Sequence, residues 1–245
     1  MAHSHCGEAA WKQVIRDTVT GVSLDATAES LLITHSTAFN MRHKILLALE
    51  AEEARDPTIL DGVLELDDTY VLESYNPKDF WRNPRKHGAK AQKRGVSNEY
   101  VCISTGVQRD GASYSRSVTR ATPGKEEIQS VFEGRISGSS LIVCDGATSY
   151  NALGESCGCP VMNVDRKNAF AHVNTANGFH SFIKDRFYQY RGVATKYLNR
   201  YNVLFSKSFR NSENLIDRIY VILCSNDIQR HHSVNDVKTL NLLAI

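Results

Sequence analysis

Apolar residues recur at helical spacing up to about residue 55, and then the pattern changes to alternation. Trp11 to Val19 reads as a first helix. Ser23 can cap a second over Leu24 to Leu32, with Leu24, Ala28, Leu31 and Leu32 on one side. Ile33-Thr34-His35 then turns the chain, and Ser36 can cap a third helix that runs to about Glu53. A leucine-rich helix, a short turn and a capped helix match the spacing of a helix-turn-helix, with Thr37, Asn40, Arg42 and Lys44 as candidate DNA contacts. An ordinary helical hairpin has the same spacing. Asp56-Pro57 punctuates the chain and marks a boundary near residues 55 to 60.

Beyond it, Val63 to Leu72 alternates. Val63, Glu65, Asp67, Thr69 and Val71 share one strand face, and Leu64, Leu66, Asp68, Tyr70 and Leu72 the other. This parity groups Asp67 with Glu65 and sets Asp68 on the apolar side. Asn76 to Gly95, broken by Pro77, Pro84 and Gly88, reads as a long loop of the kind usually kept for function or left disordered. Tyr100 to Val107 and Ala112 to Thr119 form a hairpin about Arg109-Asp110-Gly111. A helix over Gly124 to Phe132, a strand over Ser140 to Cys144, a short helix over Thr148 to Leu153 and a strand over Pro160 to Asn163 follow, with helices from about Thr175 onward. That order predicts an α/β fold with a mixed sheet. Leu215, Ile219, Ile222 and Leu223 then predict one more packed helix.

Charge changes the picture through its distribution. The chain nets only +2, but seven basic residues (Lys78, Arg82, Arg85, Lys86, Lys90, Lys93, Arg94) fall between 78 and 94 against the single acid Asp79. Seven more, including Lys184, Lys196 and Arg210, fall between 184 and 210 against Asp185. Each segment nets +6, which leaves the remainder near −10. Two solvated faces would account for this. A positive field for a polyanion accounts for it better, because both segments flank the acidic residues discussed next. No apolar run approaches the ~18 residues that span a bilayer, and the first residues lack a hydrophobic signal core, so a cytoplasmic protein with no membrane partner is expected. Of six cysteines, Cys102 and Cys144 sit in apolar runs and read as core residues, and Cys157-Gly-Cys159 has the wrong spacing for the usual zinc frameworks.

Asp67 and Asp145 each end an apolar strand. Two carboxylates on neighbouring strands suit magnesium, which takes hard oxygen ligands and works on phosphodiesters. Glu65 is a candidate for the layer behind them. Asp145-Gly146 is equally a good turn dipeptide. On the helix after Thr175, positions 177, 180 or 181, and 184 line one face. Asn177 can add an oxygen, and Lys184 can grip a phosphate. A helix-start asparagine and a surface lysine are the plainer readings of these two residues.

The segment Glu65-Leu-Asp67-Asp68-Thr69-Tyr70 resembles the V-E-V-D-E-T-Y motif of bacterial insertion-sequence transposases of the DDE/DDNK type, ISXO-like branch. His172 to Lys184 is similar to their third motif, and Tyr190-Arg-Gly-Val-Ala-Thr-Lys196-Tyr-Leu198 to the run that follows it; the likeness covers roughly residues 11 to 210. It implies a ribonuclease H-like domain, magnesium or manganese, and cleavage at terminal inverted repeats followed by strand transfer into target DNA. The ion would be held by Asp67, Asp145 and Asn177, with Lys184 completing the catalytic set. It further implies double-stranded DNA, both transposon ends and target, as partner, and a homo-oligomer on that DNA near the nucleoid. Members usually begin with a four-cysteine zinc ribbon. Here only Cys6 precedes Trp11, so zinc is not expected. The expected organisation is a helix-turn-helix-like segment (1–57), a catalytic domain (58–210) and a helical extension (211–245). A catalytically inactive remnant that only binds DNA is the alternative, and a nuclease or resolvase of the same fold is a further one.

Overall fold

The computed structural model describes residues 6–75, 88 and 90–225. A five-stranded sheet in the order β3-β2-β1-β4-β5 forms the centre, built from β1 (Val63–Leu72), β2 (Tyr100–Gln108), β3 (Ser113–Arg120), β4 (Leu141–Cys144) and β5 (Val161–Asn163). β2 runs antiparallel to both β1 and β3, whereas β4 is parallel to β1 and β5 parallel to β4. This is the α/β arrangement with a mixed sheet expected from the sequence. The Arg109-Asp110-Gly111 hairpin makes the β2/β3 pair, whereas β1 reaches its antiparallel partner β2 through the segment between Leu72 and Tyr100. The parallel pairs require the crossover helices α4 (Lys125–Phe132) and α5 (Thr148–Cys157).

Helices cover both faces. Leu64 and Leu66 of β1 pack with Ile128, Phe132, Tyr150 and Leu153 of α4 and α5. The opposite face carries α1 (Glu8–Thr20), α3 (His35–Arg55), α6 (Asn174–Gln189), α7 (Leu198–Ser208) and α8 (Ser212–Cys224), joined through Trp11, Ile45, Leu49, Phe179, Phe205 and Ile219. The first helices and the last described one share a core with α6 and α7 from between them. Gly106 of β2 shows how tight the α4/α5 side is. A Cβ there would lie 2.7 Å from Leu60 Cδ1 and 2.9 Å from Phe132 Cε1. Gly106→Ala is expected to destabilise the chain by about 1–3 kcal/mol, read as a lower urea midpoint at unchanged slope.

Several local expectations are corrected. The cap of α3 is Thr34, whose Oγ1 accepts from Thr37 N–H at 3.1 Å, and not Ser36. The chain turns earlier than the sequence suggests because α2 (Leu24–Ser30) stops before Leu32, which has a left-handed φ of 53° and lets Ile33 N–H reach back to the Ala28 carbonyl. In consequence Leu32, expected on the apolar side, is 93% exposed. α5 runs past Leu153, its expected end, to Cys157. Gly154 packs against Val161, and the left-handed terminator is Gly158, φ 69°. Cys102 and Cys144 are buried core residues as expected. Among the described residues, no helix is long and apolar enough to cross a membrane.

Candidate active site

β1 is the central strand, and its parity is the one read from the sequence. Asp68 turns toward α5, where it accepts from Ser104 Oγ at 2.6 Å and Tyr150 Oη at 2.7 Å. Asp67 turns toward α6. The parallel register pairs Leu66 with Cys144, so Asp67 and Asp145 occupy the next positions on adjacent strands. Asp145 is exposed, and its Oδ1 accepts from Ala147 N–H at 3.1 Å, in a turn that Gly146 makes possible at φ 90°.

Burial pushes the Asp67 carboxyl up to about 6. The backbone N–H of Asp68 opposes the shift, the charges of Asp145 and Asp68 add to it, and Lys184 again opposes it. Asp145 and Lys184 are thus each within electrostatic reach of Asp67. Asn177 lies on the same helix as Lys184, seven residues earlier, with its side chain exposed.

Between them on that helix is His180, buried, with Nδ1 3.7 Å from Asp67 Oδ2 and Nε2 2.7 Å from Thr105 Oγ1. Thr105 gives its own hydroxyl proton to the Asp67 carbonyl oxygen at 2.8 Å, so it accepts from His180 Nε2–H, and the Nδ1 lone pair faces the carboxylate. Burial, and then the charge of Lys184, lowers the His180 pKa to about 4. The imidazole is therefore neutral near pH 7, and its approach to Asp67 is not an ion pair.

What fixes α6 against β1 is Glu65, two residues before Asp67 on the same face and 0% exposed. The helix begins without a local side-chain cap. Glu65 Oε2 supplies one, accepting from Thr175 N–H at 2.6 Å and Ala176 N–H at 3.0 Å. Its Oε1 accepts from Arg109 Nε at 2.7 Å and lies 3.3 Å from His172 Nδ1. Arg109 in turn donates to the carbonyls of Phe170 and His172, tying down the segment that leads into α6. Sequence parity grouped Glu65 with Asp67. Nothing in the sequence singled out Arg109 or Thr105.

Of the expected DNA contacts, Lys44, Lys90, Lys93, Arg94 and Lys196 have exposed side chains. Lys78, Arg82, Arg85 and Lys86 lie outside the described residues. Arg42 is a correction. It is 1% exposed, donates through Nη2 to Val22 O at 2.7 Å and lies over the Tyr190 ring, because its place on α3 faces α2 and the end of α6 and not solvent. Among the described residues, no three His, Cys, Asp or Glu side chains are arranged to hold a metal ion. Asp67 and Asp145 do offer what an oxygen-seeking cation needs, two carboxylates whose repulsion it would relieve, with the Asn177 amide on the adjoining helix.

A family model described as ISXO2-like transposase domain matches residues 59–206, well over half of the chain. No curated protein matches significantly. Among solved structures, a pre-cleavage Mos1 transpososome aligns at 12% identity over 95% of this chain and 83% of that one, with a TM-score of 0.31. A Mos1 strand transfer complex aligns at 13% identity over 95% and 82%, with a TM-score of 0.34. These scores fall short of a shared overall fold, and the family assignment rests on the match to residues 59–206.

Proposed function

The chain belongs to the ISXO2-like transposase domain family, and from that premise we propose that it cuts DNA at terminal inverted repeats and joins the freed ends to a target. The observation that supports this reading most directly is the delivery of Asp67 and Asp145 by adjacent parallel strands to one place, with Lys184 in electrostatic reach. Asp67, Asp145 and Asn177 would hold magnesium or manganese. A divalent ion there would polarise the phosphodiester and make the attacking oxygen more acidic.

The chain's own residues do the rest. Lys184 grips a phosphate oxygen next to the reacting phosphorus. Neutral His180, held by Thr105, keeps its lone pair toward Asp67 and adds no positive charge beside the ion site. Glu65 sets the distance between the strand that carries Asp67 and the helix that carries Asn177 and Lys184. Lys90, Lys93 and Arg94, with the rest of the basic stretch, track the DNA backbone. In the first step water attacks phosphorus and the 3′ oxygen leaves, taking a proton to become a hydroxyl. In the second, that hydroxyl attacks a target phosphodiester, a target 3′ oxygen leaves, and the number of ester bonds is conserved. Pairing of two ends would bring two copies of the chain together on DNA.

The test is a strand-transfer assay on paired inverted-repeat ends with magnesium. Joined product that disappears with a chelator is the expected result. Binding without any cleavage would mark a DNA-binding remnant, and nicked DNA that is never joined would mark a nuclease or resolvase.

A further inference from the structure

Two electron-rich atoms face each other on the inner side of α6. His180 is 6% exposed, Thr105 holds its Nε2–H, and among the described residues nothing donates to Nδ1. That lone pair faces Asp67 Oδ2 from 3.7 Å. A hydrogen bond between nitrogen and oxygen spans no more than about 3.2 Å, so the gap is too wide for a shared proton. Two acceptors so placed repel each other unless a cation lies between them. Metal bonds of about 2.0–2.2 Å to an imidazole nitrogen and to a carboxylate oxygen together reach about 4.3 Å, so one ion can touch both atoms. The other face of the ring is also that of a metal ligand. Such an imidazole gives its second N–H to an oxygen that fixes its tautomer and direction. Thr105 does this, and it cannot reverse the roles, because its own proton goes to the Asp67 carbonyl oxygen at 2.8 Å. Asn177 stands three residues before His180 on α6, a spacing at which a helix presents two ligands to one metal.

We propose that His180 Nδ1 is a nitrogen ligand of the divalent ion at Asp67, and that it makes this site prefer first-row transition ions, manganese among them, to magnesium. Magnesium takes hard oxygen ligands, whereas transition ions accept imidazole, in an order of affinity that begins at manganese. The inference deepens the DNA-cutting reading and rests on it for the place of the ion. It adds a ligand that the oxygen set of Asp67, Asp145 and Asn177 does not contain, and with it a choice of metal.

The experiment uses the full chain with manganese as the probe. Electron paramagnetic resonance follows its binding and its displacement by magnesium, and spin-echo modulation detects a nitrogen bonded to it, with isotopically labelled histidine to identify the source. The variants are His180→Gln, whose amide N–H can serve Thr105 while its carbonyl oxygen replaces Nδ1, and His180→Phe, which removes the ligand. Circular dichroism confirms that each is folded, and if His180→Phe is not, His180→Gln decides. Wild type should show histidine modulation, and magnesium should displace manganese only at concentrations at least about tenfold higher than manganese's own. His180→Gln should still bind manganese but lose the modulation and most of the preference. His180→Phe should bind manganese about tenfold more weakly. Manganese that does not bind, that binds without histidine modulation, or whose modulation survives in His180→Gln overturns the assignment. End joining is assayed on the same preparations. Joining by wild type without histidine modulation rejects His180 as a ligand and leaves the transposition reading intact, whereas modulation without joining rejects only the transposition reading.

Discussion

Asp67→Asn is expected to abolish end cleavage and, in the same preparation, to stabilise the metal-free chain at pH 7.5 by about 1–2 kcal/mol. The two effects share a cause. Burial raises the Asp67 pKa from 3.8 to about 6, and the charges of Asp145 and Asp68 add to the shift. The folded state therefore holds the proton more tightly than the unfolded state does. The carboxyl costs nothing below pH 4, its cost grows as pH rises from 3.8 toward 6, and above 6 the full penalty applies. Two pKa units would correspond to about 3 kcal/mol, and the water that reaches this partly exposed side chain reduces it to the smaller figure. Asparagine keeps the oxygen that accepts from Asp68 N–H at 2.9 Å and loses the charge. Urea titrations across pH, with and without magnesium, measure the difference. The gain should vanish below pH 4, and magnesium should stabilise the wild type but not the variant. Asp145→Asn should stop cleavage without a comparable gain, because Asp145 is exposed. Equal stabilisation of both chains by magnesium, or a variant less stable at every pH, would remove Asp67 from the ion site.

The contrast between Asp67 and Asp68 shows what a sequence carries. Alternation alone put neighbouring aspartates on opposite faces of β1, and the packing follows that division. One meets α6, and the other is held by Ser104 and Tyr150. The pairing of β2 with β3 was legible from the turn between them, whereas the place of β1 beside β4 had to come from the structure. Arg42 shows the limit. Its spacing on α3 fits a recognition helix, but which side of a helix is covered depends on elements far away in the chain, here Val22 and Tyr190. The same dependence hid the shared core. Nothing local in α1 or α3 reveals that α6, α7 and α8 will pack against them. Thr105 and Arg109 were missed because each acts through a partner 38 or more residues distant, Asp67 for one and Glu65 for the other.

Glu65 leads to the second large effect. Glu65→Ala is expected to destabilise the chain by about 3–5 kcal/mol. It removes a fully buried carboxylate from the half-buried Arg109 and leaves the Thr175 and Ala176 N–H groups without an acceptor. That variant reports mainly on folding. Glu65→Gln separates folding from positioning. Its side chain has the same length and one carbonyl oxygen, which can serve the helix N–H groups or Arg109 but not both, so a smaller loss of about 1.5–3 kcal/mol follows. At temperatures where Glu65→Gln remains folded, α6 is free to shift against β1, and Asn177 and Lys184 shift with it. Cleavage should then fall at least tenfold while duplex affinity, carried by the exposed lysines and arginines, changes little, since misplacement of about 1 Å costs roughly that much or more. Glu65→Asp should not rescue, because one fewer methylene cannot reach both the helix and Arg109. Single-turnover cleavage rates and binding isotherms on the same folded samples distinguish the cases. Wild-type cleavage by Glu65→Gln would mean that the α6 cap holds the fold without setting the site, whereas equal losses of binding and cleavage would mean that the buried carboxylate acts on the whole DNA interface.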